Sequence, residues 1–385
     1  MNTRIPLAKP VFEADDFAAI QQPLETGWVV QGPHVAAFEA TFATYVGAPH
    51  AAACSSATTG LHLALAALGI GPGDQVVVPA FTWVATANAA VYCGATPVFA
   101  DIELDTFNVS PATLAAAWGP AVRACIPVHL FGLPVDPGPL PAGTVVVEDA
   151  ACGLDARLDG LHVGTRGDCG VFSFHPRKAV TTGEGGMVLA ATPELDARIR
   201  SLRSHGLMPG PTRNPWEMGE VPHVGFNHRM TDFQGALGVT QMAKAQRLHT
   251  ARAARAARYR AHLADLDWLR LPAEPTGGTH GWQAFVALYQ PETPSITTVD
   301  RLHAGRNALM LHLAEHNIET RPGTHAVHLL AWYRDTFHLR PEHLPNAWIA
   351  DRASIALPLY PTLTDAEQDR VIDAVRTFDP PRRGA

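Results

Sequence analysis

Short apolar runs that alternate with helix-like runs fill the first two-thirds of the chain. The strand-like runs are Gln75–Pro79, Thr96–Ala100, Cys125–His129 and Thr144–Val147, and each has turn-forming residues nearby. The helix-like runs are Ala36–Tyr45, Thr58–Leu68 and Thr86–Tyr92. Such alternation favours parallel strands that are buried between layers of helices. We therefore predict an α/β fold with a mainly parallel central sheet.

The pattern changes after about residue 250. A long Ala/Arg helix pattern leads to Gly277-Gly278, and a strand-like run, Gln283–Tyr289, follows. Two helix-like runs come later, at Val299–His316 and Asp365–Thr377. Since 385 residues are enough for two domains, we predict a large domain over residues 1–250 and a smaller α+β domain over residues 251–385.

Charge and hydropathy argue against several classes of partner. The net charge of −7 and the pI near 6.2 provide no basic field for nucleic acid. The Arg-rich run Arg247–Arg260 is interpreted as a solvated or interdomain helix face. No run has the apolar length that a membrane span requires, and the first residues lack a signal-peptide pattern. We expect neither a nucleic-acid partner nor a membrane partner.

Cysteines and histidines show no metal-binding or disulfide pattern. The five cysteines are scattered without CxxC spacing, which is typical of reduced thiols in a cytoplasmic protein. The 19 histidines are dispersed, and no carboxylate or cysteine cluster completes a metal set. We predict a cytoplasmic chain without a metal site.

Lys178 is the first candidate for chemistry. It lies in Val171–Val188 (VFSFHPRKAVTTGEGGMV), between a strand-like run and a Gly-rich turn, and lysine supplies only 3 of the 29 basic residues. An amine can lose its proton and attack a carbonyl, whereas a guanidinium stays protonated. The alternative is an ordinary surface lysine in a loop.

Three further segments meet the ends of predicted strands or helices. Asp149 ends a buried-strand pattern, where it could pair with a buried cation such as a pyridinium nitrogen, cap a helix or face solvent. Residues 54–58 (CSSAT) precede a helix, where they could bind a phosphate or only cap the helix. Trp83 follows strand Gln75–Pro79 and could cover a planar ring or belong to the core.

Several motifs in order carry a resemblance to a known family. They include CSSATTGLHLAL, VVVPAFTWVATANA, VEDAACG, FSFHPRKAVTTGEGGMV and GFNHRMTDFQGALG. With them the chain resembles the sugar aminotransferases of the DegT/DnrJ/EryC1/StrS family from Gly27–Glu39 to Ile355–Val375. These are fold-type-I pyridoxal-phosphate enzymes, so the resemblance implies this cofactor and a large domain followed by a smaller C-terminal α+β domain.

The resemblance also implies roles for individual residues. Lys178 is similar to the lysine that bonds to the cofactor's aldehyde as an internal aldimine, and Asp149 to the aspartate that pairs with the pyridine nitrogen. Trp83 matches the aromatic residue stacked on the ring. The implied phosphate contacts are Ser56, Ala57, Thr58 and Ser173, with Asn227 of GFNHR reaching in from the neighbouring subunit. A homodimer with two shared active sites is therefore expected.

Two positions depart from the pattern of this family. Cys152 stands where relatives usually have His or Gln beside the ring oxygen of the cofactor, and cysteine is a weaker hydrogen-bond partner. The connection Asp136–Gly143 (DPGPLPAG) replaces a helix that relatives often have. Its prolines and glycines predict that no helix forms here.

The resemblance implies transfer of an amino group from glutamate, with release of 2-oxoglutarate, to a keto-sugar nucleotide. Lys178 favours transamination, because dehydratase relatives carry histidine there, and the SFHPRK wording is closer to 4-aminotransferases. The alternatives are a C3-keto sugar, an aminocyclitol ketone or a non-catalytic PLP-fold regulator. A NAD-dependent oxidoreductase lacks support, since no GxGxxG follows the first strand.

Candidate substrate residues are Glu184, Arg321, His325 and His328, each with a structural role as the alternative. The Pro/Gly-rich loop Leu207–Val224 is long for a connector, and we expect it to cover the site of the partner subunit.

Overall fold

The computed structural model describes residues 3–208 and 219–380 of the chain. Most of the predicted loop Leu207–Val224 lies outside the described residues. The helices are α1 (Ala14–Thr26), α2 (Pro33–Val46), α3 (Ala57–Ala67), α4 (Ala85–Tyr92), α5 (Pro111–Ala117), α6 (Pro193–Arg203), α7 (Asp232–Ala243), α8 (Ala245–Leu263), α9 (Val299–Glu315), α10 (Ala331–Phe337), α11 (Pro345–Ala353) and α12 (Asp365–Thr377).

The strands alternate with these helices in the first half of the chain. They are β1 (His50–Cys54), β2 (Gln75–Pro79), β3 (Phe81–Thr82), β4 (Thr96–Ala100), β5 (Val122–Cys125), β6 (Val145–Asp149), β7 (Arg157–Leu158), β8 (Leu161–His162), β9 (Cys169–Ser173), β10 (Gly186–Ala190), β11 (Leu269–Arg270), β12 (Gly278–Thr279), β13 (Phe285–Tyr289), β14 (His325–Ala326) and β15 (Ser354–Leu357).

A seven-stranded sheet forms the centre of the molecule, in the order β1-β10-β9-β6-β5-β2-β4. Strands β9, β6, β5, β2 and β4 are parallel neighbours, and β10 runs antiparallel to β1 and β9. The predicted α/β fold with a mainly parallel sheet is therefore confirmed. Apolar side chains cover one face of this sheet: Phe38 and Phe42 of α2 contact Phe174 with ring centroids 4.8 and 5.5 Å apart. Each fully buried aromatic side chain of this kind contributes about 1.5–3 kcal/mol to folding.

One predicted strand is wrong in its bounds. The sequence places it at Cys125–His129, whereas β5 ends at Cys125. Pro127 has no amide hydrogen to donate to a ladder. The chain beyond β5 still follows β6, because Asp149 N donates to Pro127 O (2.9 Å) and His129 N donates to Asp149 O (3.0 Å).

A second sheet, β11-β13-β15, belongs to the C-terminal part of the chain. The expected boundary near residue 250 falls inside the continuous helix α8, which packs against α7 and α12. No helix forms over Asp136–Gly143, as the prolines and glycines predict. Within the described ranges, no helix is long and apolar enough to cross a membrane, and no cluster of three potential metal-binding side chains is found. All five cysteines are free.

Candidate active site

The candidate residues converge because several strands end at the same edge of the central sheet. β6 ends at Asp149 and its parallel neighbour β9 ends at Ser173. The antiparallel strand β10 begins at that edge, where Gly186 pairs with both Ser173 and Cys54. The carboxyl ends of parallel strands form the usual ligand-binding crevice of such sheets.

Asp149 is a buried carboxylate, 5% exposed. Thr86 Oγ1 donates to its Oδ2 (2.7 Å), and the amide of Ala151 donates to its Oδ1 (3.1 Å). No ion pair to Asp149 is formed by any basic side chain of the described part of the chain. Because a buried charge is costly unless it is paired, this carboxylate is suited to a cationic partner such as a protonated ring nitrogen.

Lys178 lines a small cavity together with Ala151 and Cys152, which follow Asp149 in the chain. Its backbone is held in a turn, in which Lys178 N donates to His175 O (2.8 Å). Its Nζ lies 3.1 Å from Sγ of Cys152, three residues beyond Asp149. The cavity is lined by Cys152, Ser173, Lys178, Gly281 and Gln283 among others.

The other buried lysine has a different environment. Lys244 is 5% exposed, and its Nζ donates to Asp16 (2.6 Å) and Asp15 (3.2 Å). Lys178 is half-buried and forms no ion pair with a carboxylate of the described residues. Lys244 therefore has a structural role, whereas the amine of Lys178 is left available for chemistry.

The start of α3 is built to receive an anion. Ser56 caps the helix, because its Oγ accepts from Thr59 N (3.2 Å), while the first-turn amides of Ala57 and Thr58 have no acceptor within the helix. A Cβ on Gly186 would lie 2.5 Å from the carbonyl of Ser56 and 2.7 Å from Ala57 N. Only glycine fits beside this turn, so the sheet edge and the turn approach each other closely.

Trp83 lies at the same edge, with 55% of its surface exposed. Thr86 N donates to Trp83 O (3.2 Å), which connects the indole to the residue that binds Asp149. The ring of His325 lies beside it, with centroids 5.8 Å apart and the planes inclined by 40°. Trp83 is therefore not part of the core, and one face of a flat ligand could be covered by it.

These residues fit pyridoxal phosphate. A buried carboxylate without a cation suits the ring nitrogen, a lysine amine without an ion pair suits the aldehyde, and a helix start beside an obligatory glycine suits the phosphate. Lys178, Cys152 and Ser173 line one cavity, and the amide of Ala151 in its wall donates to Asp149. Ser56, Ala57, Thr58 and Trp83 lie at the same sheet edge.

The candidate substrate residues are less closely associated. The side chains of Glu184 and Arg321 are exposed, and Arg321 lies 3.5 Å from Glu319. His325 is exposed beside Trp83, as described above. His328 has no exposed surface, and burial together with the charge of His343 lowers its pKa to about 4. The expectation that His328 faces the substrate is therefore wrong, because its ring is enclosed near Phe99.

Asn227 has an exposed side chain in a segment that borders the turn at the start of α3 in its own chain. The carbonyl of the next residue, His228, accepts from Ser55 N (2.9 Å), and His228 N donates to Arg203 O (3.0 Å). The backbone of this segment is therefore fixed while the amide side chain of Asn227 stays available.

Two supporting residues were missed from the sequence. Thr86 follows Trp83 by three residues, so the spacing of one helical turn was a usable signal. Glu148 accepts from His129 Nε2 (2.9 Å) and from the amides of Gly164 (2.8 Å), Arg166 (2.7 Å) and Gly167 (2.8 Å). Burial tends to raise its pKa, but His129 and these amides lower it to about 2. Glu148 thus holds the end of β6 in an ionised, fully bonded state.

Comparison with known proteins agrees with this geometry. Residues 10–376 match the DegT/DnrJ/EryC1/StrS aminotransferase family. The aminotransferase TlmJ from Streptoalloteichus hindustanus is 31% identical, with a TM-score of 0.85 and 97% of this chain and 98% of that chain covered. DesV of S. venezuelae, solved with a ketimine intermediate, is 32% identical, with a TM-score of 0.83 and the same coverage.

Spr1654 from Streptococcus pneumoniae, which was solved in PLP and PMP forms, is 26% identical with a TM-score of 0.87, and 97% of this chain and 98% of that chain are covered. The family match spans nearly the whole chain, and the similar structures cover it end to end. The chain therefore belongs to the DegT/DnrJ/EryC1/StrS aminotransferase family of pyridoxal-phosphate-dependent sugar aminotransferases.

Proposed function

We propose that this enzyme transfers the amino group of glutamate to C4 of a keto-sugar nucleotide, with Lys178 and Asp149 as its catalytic residues. One observation supports Lys178 and Asp149 as the catalytic pair: the buried carboxylate of Asp149 has no cationic partner among the described residues and is followed, in the same turn, by Cys152, which contacts the amine of Lys178 at 3.1 Å. An acid and an amine in one crevice are what pyridoxal-phosphate chemistry requires.

Asp149 keeps the ring nitrogen protonated by ion pairing, and Thr86 holds the carboxylate in place. Ser56, Ala57, Thr58 and Ser173 would hold the phosphate, and Trp83 would cover one face of the ring. Cys152 would face the ring oxygen, for which its thiol is a weak hydrogen-bond partner. When bound, the cofactor supplies the electron sink for cleavage of a C–H bond.

Lys178 has two tasks in this proposal. Its amine would hold the aldehyde of the cofactor, and when free it would take up the proton that leaves the substrate carbon and return it later in the cycle. Apolar side chains such as Leu154, Phe172 and Val180 line the cavity beside Lys178, and with the cofactor bound they would help to keep water from the amine. Because donor and acceptor react in separate halves of the cycle, ping-pong kinetics are expected.

The acceptor enters past Trp83 and His325, whose rings are both about half-exposed at the crevice. Arg321 is an exposed cation on the segment that leads to His325, which suits a diphosphate group. Glu184 lies two residues before Gly186, whose backbone is in close contact with Ser56. The exposed carboxylate of Glu184 is proposed to orient the sugar.

A homodimer with shared sites is proposed as the working assembly, in a cytoplasmic setting suited to its free cysteines. The exposed side chain of Asn227, carried on a fixed backbone, is available to reach the phosphate in the partner's site. We also propose that residues 1–250 form a large domain and residues 251–385 a smaller one.

A panel of 4-keto and 3-keto nucleotide sugars and an aminocyclitol ketone, each with glutamate, tests this function. Product analysis by mass spectrometry and NMR should show an amino group at C4 and formation of 2-oxoglutarate. If only a 3-keto sugar or only the aminocyclitol ketone is aminated, the enzyme acts on that class of acceptor and the C4 assignment is wrong. A chain that forms no 2-oxoglutarate with any acceptor would instead support a regulatory role.

A further inference from the structure

Arg252 on α8 is buried behind the backbone of Lys178, to which it is hydrogen-bonded, with 2% of its surface exposed. Its Nη2 donates to the carbonyl oxygen of Lys178 (3.3 Å). Its Nη1 donates to the carbonyl oxygens of Gln283 (3.0 Å) and Trp282 (3.5 Å). One guanidinium therefore connects the backbone of the lysine loop to the segment 282–283.

Other arginines of α8 make ordinary ion pairs. Arg255 pairs with Asp365, and Arg258 pairs with Asp369 at 2.6 Å, both on α12. Arg252 has no carboxylate partner among the described residues, and its Nε is buried without a hydrogen bond. Burial lowers the pKa of Arg252 to about 10. Since a buried, unpaired cation is costly, its presence calls for a reason beyond the packing of the helix.

The segment that Arg252 holds is itself fixed to the central sheet. Gly281 N donates to Gly132 O (2.7 Å) and Gln283 N donates to Phe131 O (3.0 Å), just beyond the end of β5. Gly281 and Gln283 line the same cavity as Lys178. A second bond joins the two walls of this cavity, because Gln283 Nε2 donates to Arg177 O (2.7 Å).

We propose that Arg252 is a positioning residue for Lys178: by holding the lysine's own carbonyl against the anchored segment 281–283, it fixes the point from which the amine reaches the cofactor and the substrate carbon. This inference rests on the proposed function of Lys178. A lysine side chain is long, so a backbone that drifts by about 1 Å misplaces the amine and can slow a reaction by roughly 100-fold.

Arginine is suited to this task in a way that lysine is not. Its planar fork carries five N–H donors in fixed directions, so carbonyls of two separate segments can be bound at once. A lysine at this position would keep the charge but present one compact ammonium group. The conservative change Arg252→Lys therefore separates the bridging geometry from the charge.

The test compares holoenzymes of wild type, Arg252→Lys and Arg252→Met, with Arg255→Lys as the matched control on the same helix. The single-turnover rate with glutamate alone reports proton transfer by Lys178, and thermal unfolding reports stability. Both Arg252 variants should react roughly 10- to 100-fold more slowly, with the KM for the keto sugar nearly unchanged. Arg255→Lys should keep the wild-type single-turnover rate.

Gln283→Met is a second variant for the case in which the Arg252 changes prevent folding. It removes only the bond to Arg177 O and should slow the same half-reaction by several-fold, about 1 kcal/mol. The proposal is overturned if folded Arg252→Lys transfers protons at the wild-type rate or, where the Arg252 variants do not fold, if Gln283→Met does so. It is also overturned if Arg255→Lys slows the reaction as much as Arg252→Lys.

These outcomes differ from failure of the proposed function itself. If wild-type Lys178 forms no bond with pyridoxal phosphate, the role of Lys178 fails, whatever Arg252 does. If wild-type Lys178 bonds and reacts as proposed while the Arg252 variants match it, only the positioning role fails.

Discussion

Thr86 Oγ1 donates a 2.7 Å hydrogen bond to Oδ2 of the buried carboxylate of Asp149. Thr86 lies in the first turn of α4, and its amide is bonded to the carbonyl of Trp83. The proposed ring-stacking residue and the proposed partner of the ring nitrogen therefore belong to one hydrogen-bonded unit. A substitution at Thr86 should therefore weaken cofactor binding through Asp149 rather than through Lys178.

Thr86→Val keeps the shape of the side chain but removes this bond. A hydrogen bond to a charged group contributes about 1.5–3 kcal/mol, so we expect pyridoxal phosphate to bind roughly 10- to 100-fold more weakly. Equilibrium dialysis or absorbance titration of the cofactor measures this change. Thr82→Val is the control, because the hydroxyl of Thr82 makes only a long hydrogen bond (3.4 Å) to Thr86 Oγ1 and none to Asp149. Equal losses in both variants would contradict the special role of Thr86.

Gly186→Ala should disrupt the phosphate turn. The new Cβ would lie 2.5 Å from the carbonyl of Ser56, and relief of such a clash costs about 1–3 kcal/mol. Cofactor retention during gel filtration should fall together with thermal stability. Gly119→Ala is the control, because its nearest neighbour would lie at 3.8 Å. Full retention in Gly186→Ala would show that the phosphate lies elsewhere.

Hybrid dimers test whether Asn227 acts across a subunit interface. Lys178→Ala and Asn227→Ala chains should each be inactive or poorly active alone. If Asn227 serves the partner's site, a refolded mixture contains hybrids in which one site has both native residues, so activity should return. A mixture no more active than the sum of its parts would place Asn227 in the site of its own chain, or in no site.

Acid stability should depend on Glu148, whose pKa is lowered from 4.5 to about 2 despite burial. A lowered pKa means that ionised Glu148 stabilises the fold above pH 4.5 and that this contribution disappears as the pH falls toward 2. Glu148→Gln should lower the free energy of unfolding at pH 7 by about 2–4 kcal/mol. It should also reduce the dependence of that free energy on pH between 4.5 and 2. Urea unfolding at several pH values measures it, with the exposed Asp267→Asn as control. An unchanged slope would contradict the ionised assignment.

The strands of the central sheet were predictable where turns bound a β-branched run. Gln75–Pro79 and Thr96–Ala100 coincide with β2 and β4. The run at Cys125–His129 is misplaced because the apolar pattern outweighs Pro127, which has no amide hydrogen to donate to a strand ladder. The position of antiparallel β10 between β1 and β9 depends on long-range pairing, which a local pattern does not contain.

For the site, the sequence led to Lys178 and Asp149 as candidates because the proposed chemistry demands an amine and a carboxylate. The burial of Arg252 was hidden, because its Ala/Arg surroundings have the composition of a solvated helix. His328 shows the opposite case, because it is expected at the surface but is buried. It lies three residues after His325, where the chain has already turned into the core. Burial of a polar side chain is set by neighbours distant in sequence, which only the fold reveals.

Borohydride reduction of the holoenzyme followed by peptide mass analysis tests the central claim most directly. Reduction should abolish the yellow absorbance and leave a pyridoxyl group on the peptide that contains Lys178. The Lys178→Ala protein should carry no pyridoxyl group. A pyridoxyl group on Lys9 or Lys244, or a wild-type chain that remains unlabelled when saturated with pyridoxal phosphate, would contradict it.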